Sequence, residues 1–268
     1  MNKLIDYDKE FKNYFEQWYT KNRDKFEKPE EVEQVIPQLY QKWMESACAP
    51  LLEMSGEELV GLIDAYVSAG CDVPDIVCEF ITRRKSDTEK PLVALYRNNM
   101  FNTDIRVLLI NMLSEMDCKD VISSFVDIVA NSKNDDEITN TCAEALTNTE
   151  HDFLDHGMQA YERCEFVGSK ELLLNALISK YKHDKLADYA IALYNESQNK
   201  AFVAAMMGEL GDEKCLPVLL KAANDKTINY VDYTEICNAI EALGGEVSRE
   251  REFEGDVYYE MMKKGEVT

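Results

Sequence analysis

The stretch GELGDEKCLPVLLKAAND, Gly208–Asp225, reads as the end of one helix, a tight turn and a second helix. Gly211 and Asp212 mark the turn. Pro217 suits the first turn of a helix, where its missing N–H is not needed. Its neighbours decide whether it is a lone hairpin or one unit of a series. Aligning helix ends on Met116, Leu146, Leu177, Leu210 and Leu243 gives intervals of 30, 31, 33 and 33 residues. Four positions earlier lie Met112, Cys142, Leu173, Met206 and Ala239; three positions earlier lie Leu113, Ala143, Leu174, Met207 and Ile240. All three columns are apolar in a chain that is 46% apolar, which points to a repeat of fixed period.

A short polar break and a second apolar segment follow each of the first four anchors: DVISSFVDIVAN, DFLDHGMQAYER, KLADYAIALYNE and KCLPVLLKAAND. The unit is therefore helix, turn, helix. One hairpin cannot bury its apolar face alone, and stacked neighbours bury a continuous core. No alternating strand pattern runs for more than a few residues, and breakers recur at short intervals. The expected fold is all-α, a solenoid or α–α superhelix of helical hairpins.

MMGELGDEKCLPVLLKAAND, with AIEALGG one unit later, resembles the HEAT-like repeat family in the short bacterial form of phycobilin-lyase-like proteins. In that family a first helix ends in Leu-Gly, Asp opens the turn, and Pro precedes a Leu pair in the second helix. Leu210, Gly211, Asp212, Pro217, Leu219 and Leu220 stand at those places, and Leu243 and Gly244 match in part. The units ending at Met116, Leu146 and Leu177 lack the Gly and the Pro. The resemblance implies a binding array or, as in some relatives, an enzyme that attaches bilins to proteins or excises alkylated bases. A tetratricopeptide array has similar periodicity, but its recurring Trp, Gly-Tyr spacing and helix-ending Pro are absent here.

Three segments follow: an aromatic-rich helical cap at 1–88, the repeat array at 89–245, and a terminal capping helix or tail at 246–268. A first helix is expected over Leu4–Thr20, and a second from Pro29, kinked by Pro37. Ser55 and Glu58 have capping-box spacing before a third, and Gly70 suits its left-handed stop. A fourth carries Pro74 in its first turn and Arg83, Arg84 and Lys85 at its negative end. Nine aromatic residues fall in the first 50, Trp18 and Trp43 among them; they either form the core of the cap or offer a surface for self-association.

The 268 residues carry 29 Lys and Arg against 51 Asp and Glu, a net charge of −22. Such a charge repels nucleic-acid phosphates and anionic membranes, and attracts a basic protein or peptide. There is no run of about 18 apolar residues and no apolar block near the N-terminus, so a cytoplasmic protein is expected. The eight cysteines, none in a C-x-x-C pair, read as reduced, packed thiols.

No phosphate loop, nucleophile elbow or zinc-deaminase signature occurs, so no catalytic residue, cofactor or metal is assigned. Asn134–Glu162 contains Asp135, Asp136, Glu137, Glu144, Glu150, Asp152, Asp155 and Glu162, with no Lys or Arg. A basic partner would turn this like-charge repulsion into attraction; cations from adjacent repeats would instead neutralise it. Within it, His151 with Asp155 and Asp152 with His156 have the i, i+4 spacing of a helical metal pair, though a third ligand is missing. These eight acids are the candidate partner-binding residues of a non-enzymatic scaffold, with an inhibitor or immunity-type role as one variety. A bilin-lyase-type enzyme or chaperone is the alternative, and a self-assembling structural protein a further one.

Overall fold

A computed structural model describes residues 4–26, 28–98 and 101–264. The chain is all-α, with no strand among the described residues. It forms two compact units, Met1–Cys118 and Lys119–Thr268.

The first unit contains α1 (Tyr7–Asn22), α2 (Pro29–Glu33), α3 (Ile36–Ala47), α4 (Ala49–Glu53), α5 (Gly56–Ser68), α6 (Asp75–Arg83), α7 (Lys85–Arg97) and α8 (Thr103–Glu115). Helices α5, α6, α7 and α8 pack on one another, and α1 lies on α3. Local chemistry explains the boundaries. Asp6 caps α1, and the Ser55–Glu58 capping box starts α5. Gly70 takes the left-handed conformation just past the end of α5, at φ 70°. Pro37 divides the expected second helix rather than kinking it. The chain turns at 34–35, and Pro37 sits in the first turn of α3, where no N–H is needed. Pro74 likewise lies one residue outside α6, as its N-cap.

The second unit contains α9 (Lys119–Asn131), α10 (Glu137–Asn148), α11 (Leu154–Arg163), α12 (Val167–Lys180), α13 (Asp184–Glu196), α14 (Lys200–Leu210), α15 (Leu216–Ala223), α16 (Tyr230–Ala242) and α17 (Val257–Lys263). Helices α10, α12, α14 and α16 form one row of successive neighbours. Against that row, α9 packs on α10 and α12, α11 on α12, α13 on α12 and α14, and α15 on α16. A second helix thus packs closely on the first helix of the unit after its own. Helix α17 rests on α16 and closes a cluster of Tyr233, Cys237, Phe253 and Tyr259.

The periodic columns are the core. Met112, Leu113, Met116, Cys142, Ala143, Leu146, Leu173, Leu174, Leu177, Met206, Met207, Leu210, Ala239 and Ile240 are all buried, and Leu243 is half-buried. Each large side chain among them is worth about 1.5–3 kcal/mol by area. In the opening stretch, Gly208 lets α14 approach α16: a Cβ there would stand 3.0 Å from Ala239 Cα. Gly211 ends α14 at φ 72°, and Gly244 repeats the device at φ 77°. Asp117 takes the same place after Met116 at φ 45°. Helices α10 and α12 run past their anchors and end in extended residues, Thr149 and Tyr181.

Side chains one repeat away satisfy the helix ends. Lys85 Nζ donates to the carbonyls of Met116 and Asp117, Lys180 Nζ to those of Thr149 and His151, and Lys182 Nζ to those of Glu209 and Leu210. Arg84 reaches Leu51 and Met54, and Arg251 reaches Ala223 and Asp225. These carbonyls have no intrahelical partner and carry the negative end of the dipole, so cations suit them. At the opposite pole, Asp232 accepts from Ala201 N at the start of α14, and Asp256 from Tyr230 N at the start of α16.

Candidate partner-binding surface

The eight acids of Asn134–Glu162 are all exposed, but they do not form one patch. Asp135, Asp136 and Glu137 stand at the N-terminal end of α10. Glu150, Asp152 and Asp155 stand beyond its other end, about 18 Å away for a helix of 12 residues. Glu144 lies between them, and Glu162 lies near the end of α11.

Several acids have structural work. Asp136 Oδ1 caps α10, accepting from Thr139 N at 2.9 Å and Thr139 Oγ1 at 3.0 Å. Asp135 accepts from Asn140 Nδ2 at 2.7 Å. Asp152 accepts from Leu154 N at 3.2 Å and Tyr181 OH at 2.9 Å, and these bonds hold its carboxyl below the usual range. Glu162 accepts from Tyr189 OH and lies 3.6 Å from Lys185 Nζ; the phenol, then the ammonium, lowers its pKa. Adjacent repeats thus compensate the segment in part. Glu137, Glu144 and Asp155 make no ion pair among the described residues.

The HDFLDH segment is arranged differently from its sequence spacing. Residues 151–153 are not helical and α11 begins at Leu154, so neither i, i+4 pair lies on a helix. His156 Nε2 instead lies 3.0 Å from Asp127 Oδ1, which also accepts from Arg163. No group of three or more His, Cys, Asp or Glu suited to a metal occurs among the described residues. The 149–153 turn is clamped from α12: Tyr181 OH accepts from Phe153 N at 2.8 Å, and Lys180 Nζ sits 5.7 Å from the Phe153 ring centre. Sequence spacing did not single out Asp127, Lys180 or Tyr181, because their roles depend on contacts one repeat away.

Next to Asp135 lies a groove of about 370 Å³, lined by Asn134, Asn140, Phe166, Glu171, Asn199 and Phe202 among others. It runs along the N-terminal ends of α10, α12 and α14. The Phe166 and Phe202 rings are half-buried in its wall, and Asp135 and Glu171 supply carboxylates. Glu171 accepts from Ser197 Oγ. Carboxylate beside aromatic suits an ammonium or guanidinium group.

The thiols are chemically quiet. Cys118 is pushed up to about 12, and Cys78 and Cys215 to about 11, chiefly by burial. Burial also raises Cys48, Cys164 and Cys237. None of the eight forms a disulfide, and of them only Cys71 is exposed. No described helix is long and apolar enough to cross a membrane. Comparison with protein-family models, curated proteins and solved structures finds no match for this chain.

Proposed function

We propose that this protein is a non-enzymatic binding scaffold that receives a basic protein or peptide along the N-terminal edge of α10, α12 and α14. The groove beside Asp135 carries the reading, because it joins carboxylates to aromatic walls in one concavity. Glu137 adjoins it on α10. The charge of −22 supports the same partner class and weighs against nucleic acid and anionic membrane. Lys180, Lys182 and Arg251 of this unit are engaged at backbone carbonyls and not at the acids of this edge. Raised thiol pKa values weigh against a cysteine nucleophile and so against a lyase. Thiols that form no disulfide suit a reducing, cytoplasmic setting. A HEAT-like ancestry of the array and an inhibitor or immunity-type role belong to the same proposal.

The test is titration of the full-length protein with an oligo-arginine peptide and an oligo-glutamate control, across salt concentrations. Binding of the basic peptide alone, weakening as salt rises, is expected. Asp135→Lys and Phe202→Ala should each weaken it about tenfold, a loss typical of one interface anchor. Equal affinity for both peptides, salt-independent binding, or indifference to both substitutions would overturn the reading.

A further inference from the structure

A cavity of about 360 Å³ opens in the first unit, between the start of α1 and the turn that joins α5 to α6. Asp6 and Asp8 line it from the start of α1, Asp72 from the turn and Asp75 from the start of α6. Tyr7 and Tyr66 line it as well. The four acids are exposed and the two phenols buried, so carboxylates stand towards the mouth and rings towards the floor. Among the described residues no Lys, Arg or His lines the cavity, and none of the four acids makes an ion pair. Asp6 accepts from Lys9 N at 3.0 Å and so caps α1. The starts of α1 and α6 together supply only about one positive charge, too little to balance four carboxylates.

The two phenols differ in their hydrogen bonds. Tyr66 OH donates to Ile5 O at 2.7 Å and accepts from Ile5 N at 3.2 Å, which ties the chain before α1 to α5. Tyr7 is 4% exposed, and its hydroxyl makes no hydrogen bond among the described residues. No side-chain oxygen or nitrogen sealed from solvent lacks a partner among them. The Tyr7 oxygen is therefore not sealed in the core. It reaches open space, and the cavity is the space that Tyr7 lines. The Tyr7 ring packs on Trp43 at 6.4 Å between centres, which fixes the hydroxyl in place. A polar atom on so buried a side chain costs free energy until a ligand or water satisfies it.

These groups define the chemistry of an occupant. It donates hydrogen bonds, carries positive charge at more than one point, and offers an apolar stem to the rings. The acids do not converge on a metal: no group of three or more His, Cys, Asp or Glu suited to one occurs among the described residues. Carboxylates spread around a mouth suit charges spread along a chain. Ammonium groups bond well to carboxylates, and methylene stems lie well on phenol faces. We propose that this cavity binds a small linear aliphatic polyamine, with ammonium groups at the carboxylates of Asp8, Asp72 and Asp75 and at the Tyr7 oxygen. The site lies apart from the α10 groove and uses none of its residues.

The test is calorimetric titration of the full-length protein with spermidine, a linear triamine, and with magnesium chloride at matched ionic strength. Spermidine should fill a single saturable site that magnesium does not fill. Asp72→Asn/Asp75→Asn should weaken that site about tenfold, the loss of two exposed charge pairs. Tyr7→Phe removes one oxygen and keeps the ring, and should weaken it about fivefold. Asp135→Lys, in the groove of the second unit, should leave it unchanged. Cys71 also lines the cavity and is exposed. Capping its thiol with N-ethylmaleimide, on a Cys78→Ser background, should block the site. That arm decides the matter should an aspartate or tyrosine variant fail to fold, which circular dichroism checks. The proposal would be overturned by the lack of a saturable site, by equal filling with magnesium or by tighter filling with an oligo-lysine peptide. Indifference to the paired aspartate change, to Tyr7→Phe or to the cap, or weakening by Asp135→Lys, would overturn it as well.

Discussion

Lys180 Nζ donates to Thr149 O at 2.7 Å, from the end of α12 to the end of α10, one repeat away. The same ammonium reaches the His151 carbonyl and lies near the rings of Phe153 and Tyr181. One cation therefore closes a helix end and fixes the following turn. Because these carbonyls lack intrahelical partners, removing the charge leaves them to water or to nothing. Lys180→Met, which keeps most of the stem, should cost about 2 kcal/mol and lower Tm by about 5 °C. Lys221→Met, at an exposed lysine of α15, should change stability by less than about 0.5 kcal/mol. Equal effects in thermal melts would show that Lys180 is not a strut.

Asp117 and Gly211 occupy equivalent places after their anchors, both with positive φ. No atom lies within 4 Å of a Cβ built on Gly211, so conformation alone sets the cost of a side chain there. Gly211→Ala should lose about 1 kcal/mol in urea unfolding. At position 117, a glycine substitution should be more stable than an alanine substitution by about the same amount. A stabilised Gly211→Ala variant would show that the left-handed stop is dispensable.

The parts of the fold that were legible depend on short spacings. Ser55 and Glu58 are three residues apart, and their capping box follows from that alone. The buried columns at Met112, Leu173 or Ile240 follow from helical periodicity. A helix-long apolar pattern runs through Pro37 and suggests a kink, yet its ring sits in the first turn of a new helix. The fate of the aromatics was not legible: Tyr7 and Trp43 are buried while Tyr19 and Tyr40 are exposed, although all four recur at helical spacing. A two-helix contact has two sides, and periodicity does not say which one is covered. For the candidate site, the exposure of the eight acids is legible in the sequence, but their separation to the two ends of α10 depends on where that helix begins and ends. Tyr181 on Asp152 and Lys185 beside Glu162 are pairings across a repeat, set by how the rows stack.

Burial divides the cysteines into three kinds. Cys71 is exposed, Cys78 is half-buried, and the other six are buried. Reaction needs both access and the thiolate, and burial withholds both. One thiol should react quickly with a disulfide reagent at pH 8, and Cys71→Ser should remove that phase. The remaining thiols should react only at the rate of unfolding, rising together in urea. A fast thiol that remains after both Cys71 and Cys78 are replaced by serine would contradict the burial of the other six.

The same burial predicts how stability depends on alkaline pH. Tyr7, Tyr181, Tyr189 and Tyr194 are pushed up to about 12, and Tyr161 is raised further, with burial the leading cause in each. Cys118 reaches about 12, and Cys78 and Cys215 about 11. In each case the fold favours the protonated form, so the unfolded chain releases its protons first. Stability from these groups is complete below the unfolded values, near pH 9 for thiols and pH 10 for phenols, and is lost as pH rises towards the folded ones. The urea midpoint should therefore hold up to about pH 9 and fall steadily between pH 9 and 12. Phenolate absorbance should reach its full value only with loss of helix, because the buried rings ionise only as the chain opens. Cys118→Ala should flatten the first part of that fall, since it removes a thiol that resists ionisation in the fold. A midpoint unchanged from pH 9 to 11, or phenolate absorbance complete while the helices stay intact, would show that these groups titrate freely in the native protein.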